Sequence, residues 1–295
     1  MLMMKPLAST RLAGIILAAA LLAALSACSA MKLGYGNLPH LAYWWLDGYV
    51  DFSDEQAPVV RDELARLHAW HRQQELPRVL DLLARMERMA PQEVDAAQAC
   101  AVFADVRERI DAVAAEAEPR VAAIATTLTG RELRYLQRKF ERNNERFRKE
   151  WVNLPPHEVR EKRFDRMADR LETLYGKLEE PQRSALRVRL AQSVFDPART
   201  HAEWQRRQQD LLQVLRKVSH RGTPEAEART LVRGWLARVQ HAPDPGYRAY
   251  QEAQQQEGCA SFAAVHASTT AAQREHAVQR LRTWQRELRE LVLAP

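Results

Sequence analysis

Phe52-Ser53-Asp54-Glu55-Gln56, continued by Ala57-Pro58-Val59-Val60-Arg61-Asp62-Glu63-Leu64-Ala65-Arg66-Leu67-His68-Ala69-Trp70, reads as a helix from its first turn. Ser53 stands where a hydroxyl accepts from the backbone N–H three residues on. Gln56 stands where an amide reaches back to the N–H of Ser53, which makes the reciprocal pair of a capping box. Val60, Leu64, Leu67 and Trp70 then recur at steps of three and four, and Leu76, Val79, Leu80 and Leu83 extend the pattern. Pro77 interrupts it and predicts a kink or a split.

Working outward, three more starts share this form: Leu128-Thr129-Gly130-Arg131-Glu132, Leu178-Glu179-Glu180-Pro181-Gln182 and Thr269-Thr270-Ala271-Ala272-Gln273. Blocks centred on Trp70, Trp204 and Trp284 also look alike. The starts lie 76, 50 and 91 residues apart, too irregular for a solenoid. A degenerate duplication and simple helix punctuation both account for them. Between these starts, Pro91-Gln92-Glu93 predicts a further helix with Val94, Ala97, Val102, Val106, Ile110 and Val113 as its buried stripe, and Pro119 predicts a restart. Pro155-Pro156, Gly176, Asp196-Pro197, Thr223-Pro224 and Pro243-Asp244-Pro245-Gly246 supply the remaining punctuation. No run alternates as a strand does. With only 10 glycines in 295 residues, the expectation is an all-α fold of about nine to eleven helices. The helices would form an elongated bundle or irregular hairpins, in one domain over residues 39–295.

The first 27 residues read as an address. Lys5 and Arg11 flank a basic start, and Leu12 to Leu25 is an almost purely apolar run too short to span a bilayer comfortably. Leu25-Ser26-Ala27-Cys28 looks like a lipobox, which implies a lipid on Cys28 and a short tether over residues 28–38. Ser29 after the cysteine favours the periplasmic face of the outer membrane over the inner membrane. The net charge of +6 becomes +4 once Lys5 and Arg11 are removed, and in the periplasm it is no argument for nucleic acid. Of the remaining cysteines, Cys100 and Cys259 either pair in this oxidising compartment or sit apart in separate helices.

Chemistry is sparse. His68, His71 and Glu75 share a helix face at steps of three and four, which makes a zinc or copper site conceivable and gives the alternative of a metal-dependent hydrolase. No His-Glu-x-x-His, nucleophile elbow or phosphate loop is present, and no cofactor is called for. The dense patch of Tyr43, Trp44, Trp45, Asp47 and Tyr49, with Trp70, His71 and Arg72 downstream, either packs the first helix or meets the membrane interface or a partner.

Two resemblances add to this. Leu41-Ala42-Tyr43-Trp44-Trp45-Leu46-Asp47-Gly48-Tyr49-Val50-Asp51-Phe52-Ser53-Asp54-Glu55-Gln56, with Trp70-His71-Arg72 and Glu75-Leu76-Pro77, resembles the start of a Gram-negative lipoprotein family of unknown function. The resemblance covers essentially the whole mature chain. It implies a helical periplasmic lipoprotein. The capping starts are similar to the LTxxQ motif of small periplasmic stress chaperones, although Glu132 replaces Gln and Glu179 replaces Thr. That similarity implies a chaperone-like role, with the membrane (through the lipid) and a periplasmic client polypeptide as partners.

Overall fold

A computed structural model describes residues 33–293 apart from residue 221. The expected signal peptide, residues 1–27, and the expected lipidation site, Cys28, lie outside the described residues. Among the described residues, eleven α-helices follow one another from Leu38: α1 (Leu38–Val50), α2 (Gln56–Trp70), α3 (Leu76–Met89), α4 (Ala96–Thr126), α5 (Gly130–Phe147), α6 (Pro156–Tyr175), α7 (Glu180–Ala191), α8 (Pro197–Val218), α9 (Glu225–Gln240), α10 (Pro245–Ala267) and α11 (Ala271–Leu293). Two π-helical turns, His71–Glu75 and Arg148–Val152, join α2 to α3 and extend α5. Among the described residues there is no strand, and no helix is long and apolar enough to cross a membrane.

Punctuation explains most boundaries. Asp196 accepts from the backbone N–H of Ala198 and Arg199 at the start of α8, and Pro156 and Pro197 occupy first-turn positions where no N–H is needed. Gly176 ends α6 at φ 73°, a conformation that excludes most side chains. Pro77 is accommodated by the π-helical turn just before it. Two expectations fail. The helix expected at Pro91 begins at Ala96, where Asp95 and Gln98 form an unforeseen capping box. Pro119 does not restart the chain but lies inside the 31-residue α4. The N–H it lacks would have met the carbonyl of Ala115, an exposed residue where water can take its place.

The four similar helix starts meet in two reciprocal clasps. Gln182 Oε1 accepts from its own cap N–H at Glu179, 2.9 Å, while its Nε2 donates to the carbonyl of Ser268. Gln273 Oε1 likewise accepts from Thr270 N at 3.0 Å, and its Nε2 donates to Lys177 O at 3.0 Å. Each amide thus caps its own helix and grips the carbonyl two residues ahead of the other's cap. Gln56 does the same toward Thr127 O at 2.8 Å, two residues before Thr129. Glu132 can cap Thr129 N but has no donor to return, and the neighbouring Arg131 supplies it, donating to Asp51 O. The departure of Glu132 from the motif is therefore compensated in place.

The clasps sit at the ends of two cores. Ala122, Leu133, Leu136, Leu212, Leu215, Val218 and Val232 form one among α4, α5, α8 and α9. Phe164, Leu171, Tyr175, Leu186, Val265 and Leu281 form the other among α6, α7, α10 and α11, with Leu83 and Met86 of α3 against it. Each such leucine taken from water contributes roughly 1.5–3 kcal/mol. Helix α4 links them: its C-terminal half packs on α9 in the first core, and its N-terminal half, in a small separate apolar cluster, is joined to α10 by a disulfide between Cys100 and Cys259, 159 residues apart in sequence. The remaining ties are buried carboxylates. Glu75, fully buried in the first π-helical turn, bonds Arg78 at 3.0 Å and Arg109 of α4 at 3.4 Å. Burial raises the carboxyl of Glu118, but Arg229 and Arg233 of α9 outweigh it and hold the group below the usual carboxylate range.

Candidate binding groove

The stripe expected to be buried on α4 is largely open. Val106 is 38% and Ile110 63% exposed, and Phe103 is exposed beside them, because no helix of the described chain covers this side of α4 between the two cores. The space in front of it is a groove of about 670 Å³. Met86 and Met89 of α3, Phe103 and Val106 of α4 and Met167 of α6 line it. A second groove of about 590 Å³ runs from Trp45, Tyr49 and Phe52 past Val121 and Ile124 of α4 to Trp235. Both grooves are lined by Phe147 and Trp204, whose rings lie 4.6 Å apart, so they adjoin at this pair; together they are the apolar trough along α4.

Its wall is aromatic. Phe147 stacks on Trp151 at 6.3 Å, and Trp151 meets the edge of Phe195 at 5.8 Å. Its rim is cationic. Arg163 is committed to Glu257 at 2.9 Å, whereas Arg166 lies over the Trp151 ring at 4.4 Å with no carboxylate of the described residues within ion-pair distance, and Arg170 stands one helical turn further along α6. Flexible thioethers and flat rings accept apolar groups of many shapes, and uncompensated guanidinium groups favour an anionic or amphipathic neighbour. At one end His266, almost fully buried, contacts the Tyr175 hydroxyl through Nδ1 at 2.8 Å and the Gln92 carbonyl through Nε2 at 2.6 Å. Burial lowers its pKa, so the neutral ring accepts from Tyr175 and donates to Gln92.

Residues 48–233 match the sequence profile of DUF6279, a family of unknown function. The chain belongs to this family. The matched region runs from the end of α1 into α9. It takes in Phe103, Val106, Phe147, Met167 and Trp204 of the trough, but not Cys259 of α10. No curated protein and no solved structure matches the chain significantly.

The other sequence candidates lie elsewhere. His68, His71 and Glu75 do not converge on a metal. The His71 Nδ1 contacts the Tyr35 hydroxyl at 2.9 Å, the His68 ring lies 4.5 Å from the Tyr35 ring, and Glu75 is taken up by its two arginines. Among the described residues no group of three His, Cys, Asp or Glu side chains is placed to hold a metal ion. The aromatic patch is divided. Tyr43 is buried and stacks on Phe52, and Asp47 accepts from the Phe52 N–H at 3.0 Å, closing the turn after α1. Tyr49 bonds Asn143 at 3.0 Å, while Trp44 and Trp45 are 65% and 64% exposed and do not pack the helix down. Trp70 ends α2, and Arg72 donates to Leu291 O at 2.8 Å, at the opposite end of the α1–α2 hairpin from Tyr49.

Burial lowers the pKa of His68, His71, His201 and His266 alike. Unfolded, each takes up a proton near its ordinary value of about 6.5, and folded, each resists it. The unfolded chain therefore binds more protons just below that value. Stability is full above it and is lost as pH falls through it. The thermal midpoint is expected to decline from pH 7.5 to pH 5, and less steeply in His266→Gln, which keeps one acceptor and one donor. A midpoint flat across this range contradicts the assignment of neutral, buried rings.

Proposed function

We propose that this protein is a lipid-anchored component of the cell envelope, facing the periplasm, that holds apolar segments of other envelope polypeptides in the trough along α4. The observation that carries this reading is the trough itself: two adjoining apolar grooves on a chain rich in charge, floored by Met86, Met89 and Met167 and walled by Phe147, Trp151 and Trp204. A monomer rarely leaves so much contiguous apolar surface open unless something binds there. Methionines and aromatics suit a range of client side chains, which fits a chaperone-like holder better than a site shaped for one small molecule. The lipobox-like Leu25-Ser26-Ala27-Cys28 supports the anchor, and Ser29 supports the outer-membrane side.

Purified protein at equimolar ratio is expected to slow aggregation of a urea-unfolded outer-membrane β-barrel polypeptide. Phe103→Asp with Val106→Asp is expected to remove most of that effect. Both side chains are exposed, so the charges fill the trough at little cost to the fold. Aggregation as fast with the parent protein as without it, or a double variant as protective as the parent, overturns the reading.

A further inference from the structure

Helix α1 is amphipathic the wrong way round for a helix facing water. It packs on α2 and α5, with Tyr43 buried against Phe52 and covered by the Arg61 guanidinium at 4.2 Å. Its exposed residues are Leu38, His40, Leu41, Trp44 and Trp45, four of the five being leucine or tryptophan. Leu38, Leu41, Trp44 and Trp45 follow one another at steps of three, three and one, so they share one face. The single acidic residue of the helix, Asp47, is used internally to bond Phe52 N. Leu33, also exposed, continues the apolar surface toward the N-terminus.

We infer that this face of α1 lies in the interfacial region of a phospholipid bilayer. Three features point to a membrane rather than a protein. Paired tryptophans flanked by leucines match the apolar body and polar tip that the headgroup boundary favours. A cation sits beside this face: Lys139 has its Nζ 5.2 Å from the Tyr49 ring centroid, and the Tyr49 ring lies 4.8 Å from that of the exposed Trp45. There it meets anionic headgroups. Finally, Cys28 precedes Leu38 by ten residues, so a lipid on its sulfur keeps α1 within about 35 Å of the bilayer surface even with the tether fully extended. The last argument rests on the lipid-anchor reading, while the first two do not. Trp45 also lines the second groove, so α1 seated in this way opens the trough at the lipid surface.

The test uses the full mature chain with Cys28→Ser, which carries no lipid, and vesicles of phosphatidylethanolamine and phosphatidylglycerol. The chain is expected to float with the vesicles. Leu41→Ser with Trp44→Ser is expected to weaken flotation at least about tenfold with an unchanged thermal midpoint, since both side chains are exposed. A Cys28→Ser chain that stays in solution, or a double variant that floats as well as its parent, overturns the proposal. So does self-association abolished by the double variant without any flotation, which assigns the face to a second copy of the chain. Palmitate labelling of the unaltered chain tests the anchor separately: label at Cys28 without flotation of the Cys28→Ser chain sinks the α1 proposal alone, and flotation without label sinks the anchor alone.

Discussion

Replacing Cys100 and Cys259 together by alanine lowers the thermal midpoint by about 10–20 °C. Their disulfide spans 159 residues and ties α4 to α10. Closing a loop of that length removes about 5 kcal/mol of chain entropy from the unfolded state, and each kcal/mol moves the midpoint of a chain this large by roughly 2–4 °C. The bond also holds the N-terminal half of α4 beside the second core while the C-terminal half packs in the first. Alanine rather than serine avoids stranding a hydroxyl at position 259, which is fully buried. Reductant added to the parent is expected to reproduce the loss and to leave the double variant unmoved. A parent insensitive to reductant, with the variant within about 3 °C of it, contradicts the staple.

The second large effect lies in the clasp. Gln182→Leu with Gln273→Leu keeps the side-chain volume but leaves four backbone groups without partners: the N–H of Glu179 and Thr270 and the carbonyls of Lys177 and Ser268. At roughly 1 kcal/mol for each part-buried hydrogen bond lost, the loss is about 4 kcal/mol, which lowers the midpoint by about 8–16 °C. Gln273 Nε2 also donates to Gln182 Oε1 at 3.2 Å, so the two substitutions are not independent. Gln182→Glu separates the two halves of the motif. It retains the cap on Glu179, loses the donor to Ser268 and sets an oxygen against that carbonyl, so it costs at least the roughly 1 kcal/mol of that one bond. Chemical denaturation of the two variants reads these differences directly. A double variant as stable as the parent would mean that water satisfies the clasp equally well.

The clasps show what a sequence of this kind reveals. Capping is local, so Ser53 with Gln56 and Thr270 with Gln273 announce their helices within five residues, and most later boundaries followed from Pro and Gly. That the amides also hold each other's loops was not legible, because the acceptors Thr127, Ser268 and Lys177 lie 71 to 96 residues away. Compensation of Glu132 by Arg131 depends on the same tertiary contact.

The trough was missed for a related reason. The period of Val102, Val106, Ile110 and Val113 correctly marks an apolar face of α4, but periodicity does not say what covers that face. Here the chain leaves Val106 and Ile110 uncovered, and the bland expectation of burial hid the candidate site. In sequence Trp204 centres a block that looks like those of Trp70 and Trp284. In the fold it lies at the junction of both grooves, while Trp284 packs against the second core. Trp44 and Trp45 misled in the same direction, since bulk at helical spacing is usually core. In each case the informative signal was a large apolar residue left exposed, which only the three-dimensional arrangement displays.

The central claim is that client polypeptide lies in the trough. It is tested most directly by placing a photo-crosslinking benzoylphenylalanine at position 103 in the groove and, separately, at position 188. Val188 is exposed on α7 and lines neither groove. With a purified, urea-diluted outer-membrane β-barrel polypeptide present, the account predicts crosslinks from position 103 that map to the client's apolar strand segments, and few from position 188. Equal crosslinking from the two positions, or none from position 103, contradicts it.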